Sequence, residues 1–222
     1  MTDNRIRALV GYIGTALPPD RSHWPAGWPR EAEAALLDAI FAARATYGTP
    51  TSGVRRVVAN WRAHRKKHEL DDLGALAAFA DAPDHLAEIL DNRQRVPGNY
   101  TTKAEAAALA AAALIDAGIP GSERIGDGRR AREAITAVPG LGGATWETFV
   151  LQLGLVGPAA LGAVHGFVAQ ALGPAEPPVS EACALELLAS ASETENIPPA
   201  ALLNAVWRYG RARSIRPKPL SA

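Results

Sequence analysis

Val138-Pro139-Gly140-Leu141-Gly142-Gly143-Ala144-Thr145 is a proline followed by three glycines, set between two apolar helical patterns. Pro139 cannot continue the helix that its position predicts to end near Ala137, because its ring fixes φ and removes an N–H. Gly140, Gly142 and Gly143 allow turns that aim successive backbone N–H groups into one small concavity, which suits an anion. A second helix predicted to start at Ala144 adds the positive end of its dipole to the same spot. The stretch therefore reads as a hairpin between two helices that can grip a phosphate group.

Working outward from the hairpin, helical periodicity dominates and β-branched alternation is almost absent, so the expected fold is all-α. Helices are predicted over Arg5–Ala16, Arg30–Ala45, Val54–His68, Lys103–Asp116, Arg129–Ala137, Ala144–Leu153, Ala159–Leu172, Ser180–Ser190 and Pro199–Arg211. A further helical stretch from Asp71 to Leu90 is interrupted near Pro83. The connections carry the breakers: Pro18, Pro19, Pro25 and Pro29, then Gly48 to Gly53, Pro97-Gly98-Asn99, and Gly173 to Pro178. Trp24 and Trp28 are expected to cover the core.

Composition narrows the function classes. The chain has 222 residues, 48% of them hydrophobic, which is enough to bury a substantial core. Its 23 basic and 23 acidic residues cancel, so any affinity for nucleic acid must come from local clustering. Cys183 is the single cysteine, which excludes an internal disulfide and any all-cysteine metal or iron–sulfur site. No apolar run is long enough to span a bilayer and no secretory pattern opens the chain, so no membrane partner and a cytoplasmic location are expected.

Four stretches in order resemble the helix-hairpin-helix superfamily of base-excision DNA glycosylases, the group that includes endonuclease III. Leu36 to Thr46 resembles its early apolar helix and the turn that follows. Thr102-Lys103-Ala104 is similar to its lysine-alanine helix, Val138 to Thr145 to its hairpin, and Asn204 to Arg211 to its last helix. The resemblance implies two lobes with a central groove: 46–157 as a helical barrel lobe carrying the hairpin, and 1–45 with 158–222 as the second. It implies double-stranded DNA as partner, a monomer, and a monovalent cation at the hairpin carbonyls. The DNA-binding residues it points to are Pro139, Gly140, Gly142, Gly143 and Thr145, with Arg44 and Arg211 by position, while Arg55, Arg56 and Arg62 enter the footprint through the basic run of their own helix. Arg44 stands at the turn whose side chain enters the gap left by an extruded base.

The catalytic residues of that family are missing. Ala144 stands where the lyase branch has its lysine, and ungapped counting from Pro139 puts Gly162 where the aspartate belongs. Cleavage of a glycosidic bond builds positive charge on the sugar, which a carboxylate must stabilise or answer with an activated nucleophile. The expectation is DNA binding without standard base excision. One alternative is an active monofunctional glycosylase with a relocated carboxylate, Glu147 first and Asp127 second. Another is a protein-interaction module on the same scaffold. The basic run from Val54 to His68 is read equally well as a DNA-tracking face or as a solvated surface. Trp146 and His165 are read as packing residues.

Overall fold

The structure is a computed structural model that describes residues 2–45, 48–49, 51–125 and 128–215. Thr46, Asp127, Arg216 and Lys218 lie outside the described residues. Among those described there are eleven α-helices and no strand, so the fold is all-α. None of these helices is long and apolar enough to cross a membrane.

The chain divides into two compact units, one continuous from Trp28 to Leu155 and the other made of Met1–Gly27 with Val156–Ala222. The boundaries differ from the expected 46–157 mainly at the first one. The helix expected in the terminal lobe, α2 (Ala32–Phe41), sits inside the continuous unit because every one of its ten residues is buried there.

In the continuous unit α2 packs against α3 (Gly53–Arg65), α4 (Leu73–Ala77), α6 (Lys103–Asp116) and α8 (Gly143–Gln152). Helices α5 (Pro83–Leu90) and α7 (Arg129–Ala137) complete it by packing on α6. Leu36, Leu37, Ile40, Phe41, Trp61, Leu73, Leu76, Leu86 and Phe149 form its centre. Burying such a side chain contributes about 1.5–3 kcal/mol, which gives this core most of its strength. Helix α6 starts at a capping box, Thr102 accepting from the Glu105 N–H at 3.1 Å while Glu105 accepts from the Thr102 N–H. Its run of buried alanines lets α4 and α5 approach closely.

A central helix surrounded on all sides must also bury its polar residues, and α2 does so with partners. Asp71 accepts from the Ala32 N–H at 2.9 Å, and from the Ser122 N–H and hydroxyl at 2.9 and 2.8 Å, fixing the start of the helix. Glu33 accepts from Trp61 Nε1 at 2.7 Å and from the Asp72 N–H at 2.9 Å. Asp38 accepts from Trp28 Nε1 at 3.0 Å. The helix stops at Phe41 rather than the predicted Ala45. Arg44, three residues on, is left-handed with φ +53°, and Lys103 Nζ donates to the carbonyls of Phe41 and Ala43 at 3.0 and 2.9 Å.

The other unit joins α1 (Thr2–Ala16) to α9 (Pro158–Leu172), α10 (Glu181–Thr194) and α11 (Pro199–Ile215) around Leu9, Ile13, Phe167, Leu187, Leu202 and Val206. Pro158 supplies the first residue of α9, where its missing N–H costs nothing, and Ser180 caps α10 through the Cys183 N–H at 3.2 Å.

Candidate nucleic-acid interface

Helix α7 ends at Ala137, and α8 begins at Gly143 with Gly142 as its cap residue. Between them Val138 and Leu141 turn inward and are buried, while Pro139, Gly140, Gly142, Gly143 and Ala144 are exposed. The Leu141 N–H closes the turn onto the Val138 carbonyl at 3.0 Å. Gly142 has no side chain to cap α8, and the N–H groups of Gly142, Gly143 and Ala144 have no acceptor among the described residues. Three donors thus stand together at the positive end of a ten-residue helix.

The glycines of the hairpin have different physical reasons. Gly140 has φ +83°, and a Cβ there would come within 2.6 Å of Val96 Cγ1 and 3.1 Å of Asn99 Nδ2, so the fold itself requires a glycine. Gly142 has φ −141°, ordinary extended backbone, and a Cβ there would meet nothing within 4 Å. Gly143 has only Arg132 Nη2 near, at 4.0 Å. Nothing within the protein requires these two positions to lack a side chain. Thr145, expected among the phosphate ligands, is buried, and its N–H turns back onto the Gly142 carbonyl at 2.9 Å.

Two features beside the hairpin were not anticipated. Arg132 is an exposed residue of α7, and its guanidinium would lie 4.0 Å from a Cβ at Gly143. The second is the turn from Arg95 to Thr102, pinned by a β-bridge between those two residues and seated directly on Gly140 through Val96 and Asn99. Tyr100 rides on this turn 88% exposed, with the Arg95 guanidinium 5.8 Å from its ring centre. Its signal in the sequence was Pro97-Gly98-Asn99, which marks a turn and puts the following aromatic at its tip. Arg44 lies at the rim of a cavity of about 380 Å³ lined also by Phe41, Ser52, Val57, Asn92 and Gln94.

The arginines of α3 are differently placed. Arg56 pairs with Asp91, and Arg62 with Glu31 and the His68 carbonyl while lying 5.9 Å from the Trp28 ring. Arg65 bridges Glu33 at 3.1 Å and Asp72 at 3.2 Å. Arg55 has no partner among the described residues. It borders a shallow apolar cleft with Trp28, Val58, Ala59 and Arg62. Of the three arginines predicted here as DNA contacts, two are committed to carboxylates of the chain.

The residues that bear on catalysis are divided between the two units, Ala144, Trp146 and Glu147 in the continuous one and Gly162 and His165 in the other. Ala144 is exposed at the start of α8 and Gly162 is exposed within α9. Glu147 is 8% exposed, and its Oε2 has no hydrogen-bond partner among the described residues. Trp146 packs on Gly128, where a Cβ would meet its ring at 2.9 Å, and beside Phe149. His165 pairs through Nε2 with the Val179 carbonyl at 2.9 Å, a structural role. Arg211, in the terminal unit, is half-buried with its guanidinium 5.9 Å from the Trp207 ring centre.

An all-helical chain with an uncapped glycine hairpin defines a class by architecture rather than by chemistry. The chain belongs to the family described as Domain of unknown function (DUF8548), whose model matches residues 7–211. No curated protein and no solved structure matches it.

Proposed function

We propose that the protein binds duplex DNA through the α7–α8 hairpin, on a scaffold of helix-hairpin-helix glycosylase type that carries out no standard base excision. The observation that carries this reading is the pair Gly142 and Gly143. Neither backbone conformation nor packing forbids a side chain there, yet both positions leave three unpaired N–H donors open to an outside group. A phosphate oxygen is the group such a helix start accepts best. Arg132 adds charge at the same spot. Tyr100 on the adjoining turn is 88% exposed and offers its hydroxyl to a phosphate or sugar oxygen, a contact that positions the duplex without reading sequence. The carbonyls of Pro139, Gly140 and Leu141 accept no backbone hydrogen bond among the described residues, so they fit a monovalent cation beside the phosphate.

Fluorescence anisotropy with a labelled, undamaged duplex tests the reading. Affinity falls steeply as salt rises, because each neutralised phosphate releases a counterion. Gly142→Gln lowers affinity by about tenfold or more, alike for all sequences, because its side chain fills the approach to N–H donors whose hydrogen bonds to a charged group contribute about 1.5–3 kcal/mol, and phosphate contacts carry no base identity. Undiminished affinity in a folded Gly142→Gln protein removes the phosphate assignment, and a flat salt response of the parent points to a protein-interaction module instead.

One observation favours a second reading, an active glycosylase with a displaced acid: the buried, unpartnered Oε2 of Glu147. Incubation with uracil-, oxidised- and alkylated-base duplexes separates the two. The proposal expects no base release, in the parent or in Gly162→Asp, an exposed helical position where a Cβ meets nothing within 4 Å. Base release that disappears in Glu147→Gln establishes the second reading.

A further inference from the structure

Lys103 is 2% exposed and reaches across 60 residues of sequence to end a helix that has no glycine of its own to end it. Its ammonium has three N–H donors and finds three acceptors, the carbonyls of Phe41 and Ala43 and Gln94 Oε1, at 3.0, 2.9 and 3.1 Å. The first two lie just before Arg44, the third just before Arg95. The Lys103 N–H also donates to the Gln94 carbonyl at 2.8 Å, closing the base of the turn that carries Tyr100. All three side-chain acceptors are neutral. Burial pushes the lysine down from its ordinary range with no carboxylate in that set to offset it. A buried cation held this way is an expensive means of ending a helix, since an apolar side chain of similar length avoids the desolvation. What the charge does accomplish is to tie two separate turns to one point.

We propose that Lys103 is a positioning residue that holds the Arg44 turn and the Arg95–Tyr100 turn as a single DNA-facing surface. This rests on the DNA-binding reading above. Lys103 is itself too buried to touch DNA, so its whole effect on binding passes through the two turns.

The test is a mutant cycle read by anisotropy on the same labelled duplex. Lys103→Met in the otherwise unchanged protein weakens binding by about tenfold, within the range of coupling between neighbouring groups. In an Arg44→Ala/Tyr100→Ala background the same substitution changes affinity less than about twofold, because the groups it positions are gone. A loss of equal size in both backgrounds, or no loss in a folded Lys103→Met protein, overturns the proposal. Gln94→Leu gives an independent arm if Lys103→Met does not fold, because it leaves the ammonium on the Phe41 and Ala43 carbonyls and removes only its side-chain tie to the turn. Its smaller loss must likewise vanish in the double-variant background, and persistence there overturns the proposal. A parent protein that does not bind the duplex at all overturns both this inference and the reading beneath it. A parent that binds, is weakened by Gly142→Gln and gives an additive cycle overturns the inference alone.

Discussion

The hairpin and the basic helix α3 lie in the same compact unit, and the fold treats their two claims on a phosphate differently. In sequence the hairpin reads as a phosphate grip without a charged side chain, while α3 with Arg55, Arg56, Arg62 and Arg65 reads equally as a ladder of phosphate contacts or as a solvated surface. In the fold the hairpin holds the unpaired donors, and the ladder is largely spent on Asp91, Glu31, Glu33 and Asp72. Charge counted along a helix says little until the acids that distant segments bring to it are known. Backbone donors, in contrast, are freed locally by glycine and proline and stay legible in sequence.

The sharpest way to break this comparison is at Gly140, where the fold rather than a ligand needs the missing side chain. Gly140→Val forces a strained backbone and drives a methyl group into Val96, and should cost about 2–4 kcal/mol of stability, seen as a lower urea midpoint. Gly142→Ala, at an N-cap position with open space around it, should cost no more than about 1 kcal/mol. Equal stability losses at the two positions would erase the distinction between them.

A smaller effect tests how firmly α3 is committed to its acids. Burial pushes the Glu33 carboxyl up from its ordinary value of 4.5, against the lowering influence of the Asp72 and Trp61 N–H groups and Arg65. The folded state then keeps a proton that the unfolded chain releases, so stability falls as pH rises from 4.5 through the raised value. Glu33→Gln should remove that downward slope, as measured by urea midpoints across this range. An unchanged slope would show that Glu33 does not titrate differently on folding.

The smallest effects sharpen the comparison within α3. Arg56→Ala should alter DNA affinity less than about twofold, because a phosphate would have to displace Asp91 from the guanidinium and would leave that carboxylate beside the DNA. Arg55→Ala should weaken binding by about two- to threefold and reduce the salt slope by about one, as expected when one phosphate contact is lost. A larger effect at Arg56 than at Arg55 would reverse the assignment.

Much of the helical layout was legible, because caps and breakers are written locally. Lys103–Asp116 and Arg129–Ala137 appear with the predicted ends, the first set by Thr102 and Glu105 and by Gly118 at φ +81°. The early end of α2 was not legible, since it depends on a lysine from another helix. Nor was the affiliation of α2 with the continuous unit, because its alanines fit a helix buried on one side or on all sides. In the candidate site the hairpin could be found from its own residues. Arg132 could not, as its relevance comes only from its approach to Gly143, and for Tyr100 the sequence marked the turn at Pro97-Gly98-Asn99 but not that Val96 and Asn99 seat it on Gly140.

The discontinuous unit also imposes an order of assembly during synthesis. Helix α1 packs on α9 and α10, which lie beyond the whole of the continuous unit, so it leaves the ribosome long before its partners exist. At about 5–20 residues per second the wait is on the order of ten seconds. Throughout that interval Leu9 and Ile13, wholly covered in the finished protein, have nothing native to cover them, while the segment from Trp28 to Leu155 is free to condense on its own contacts as it emerges.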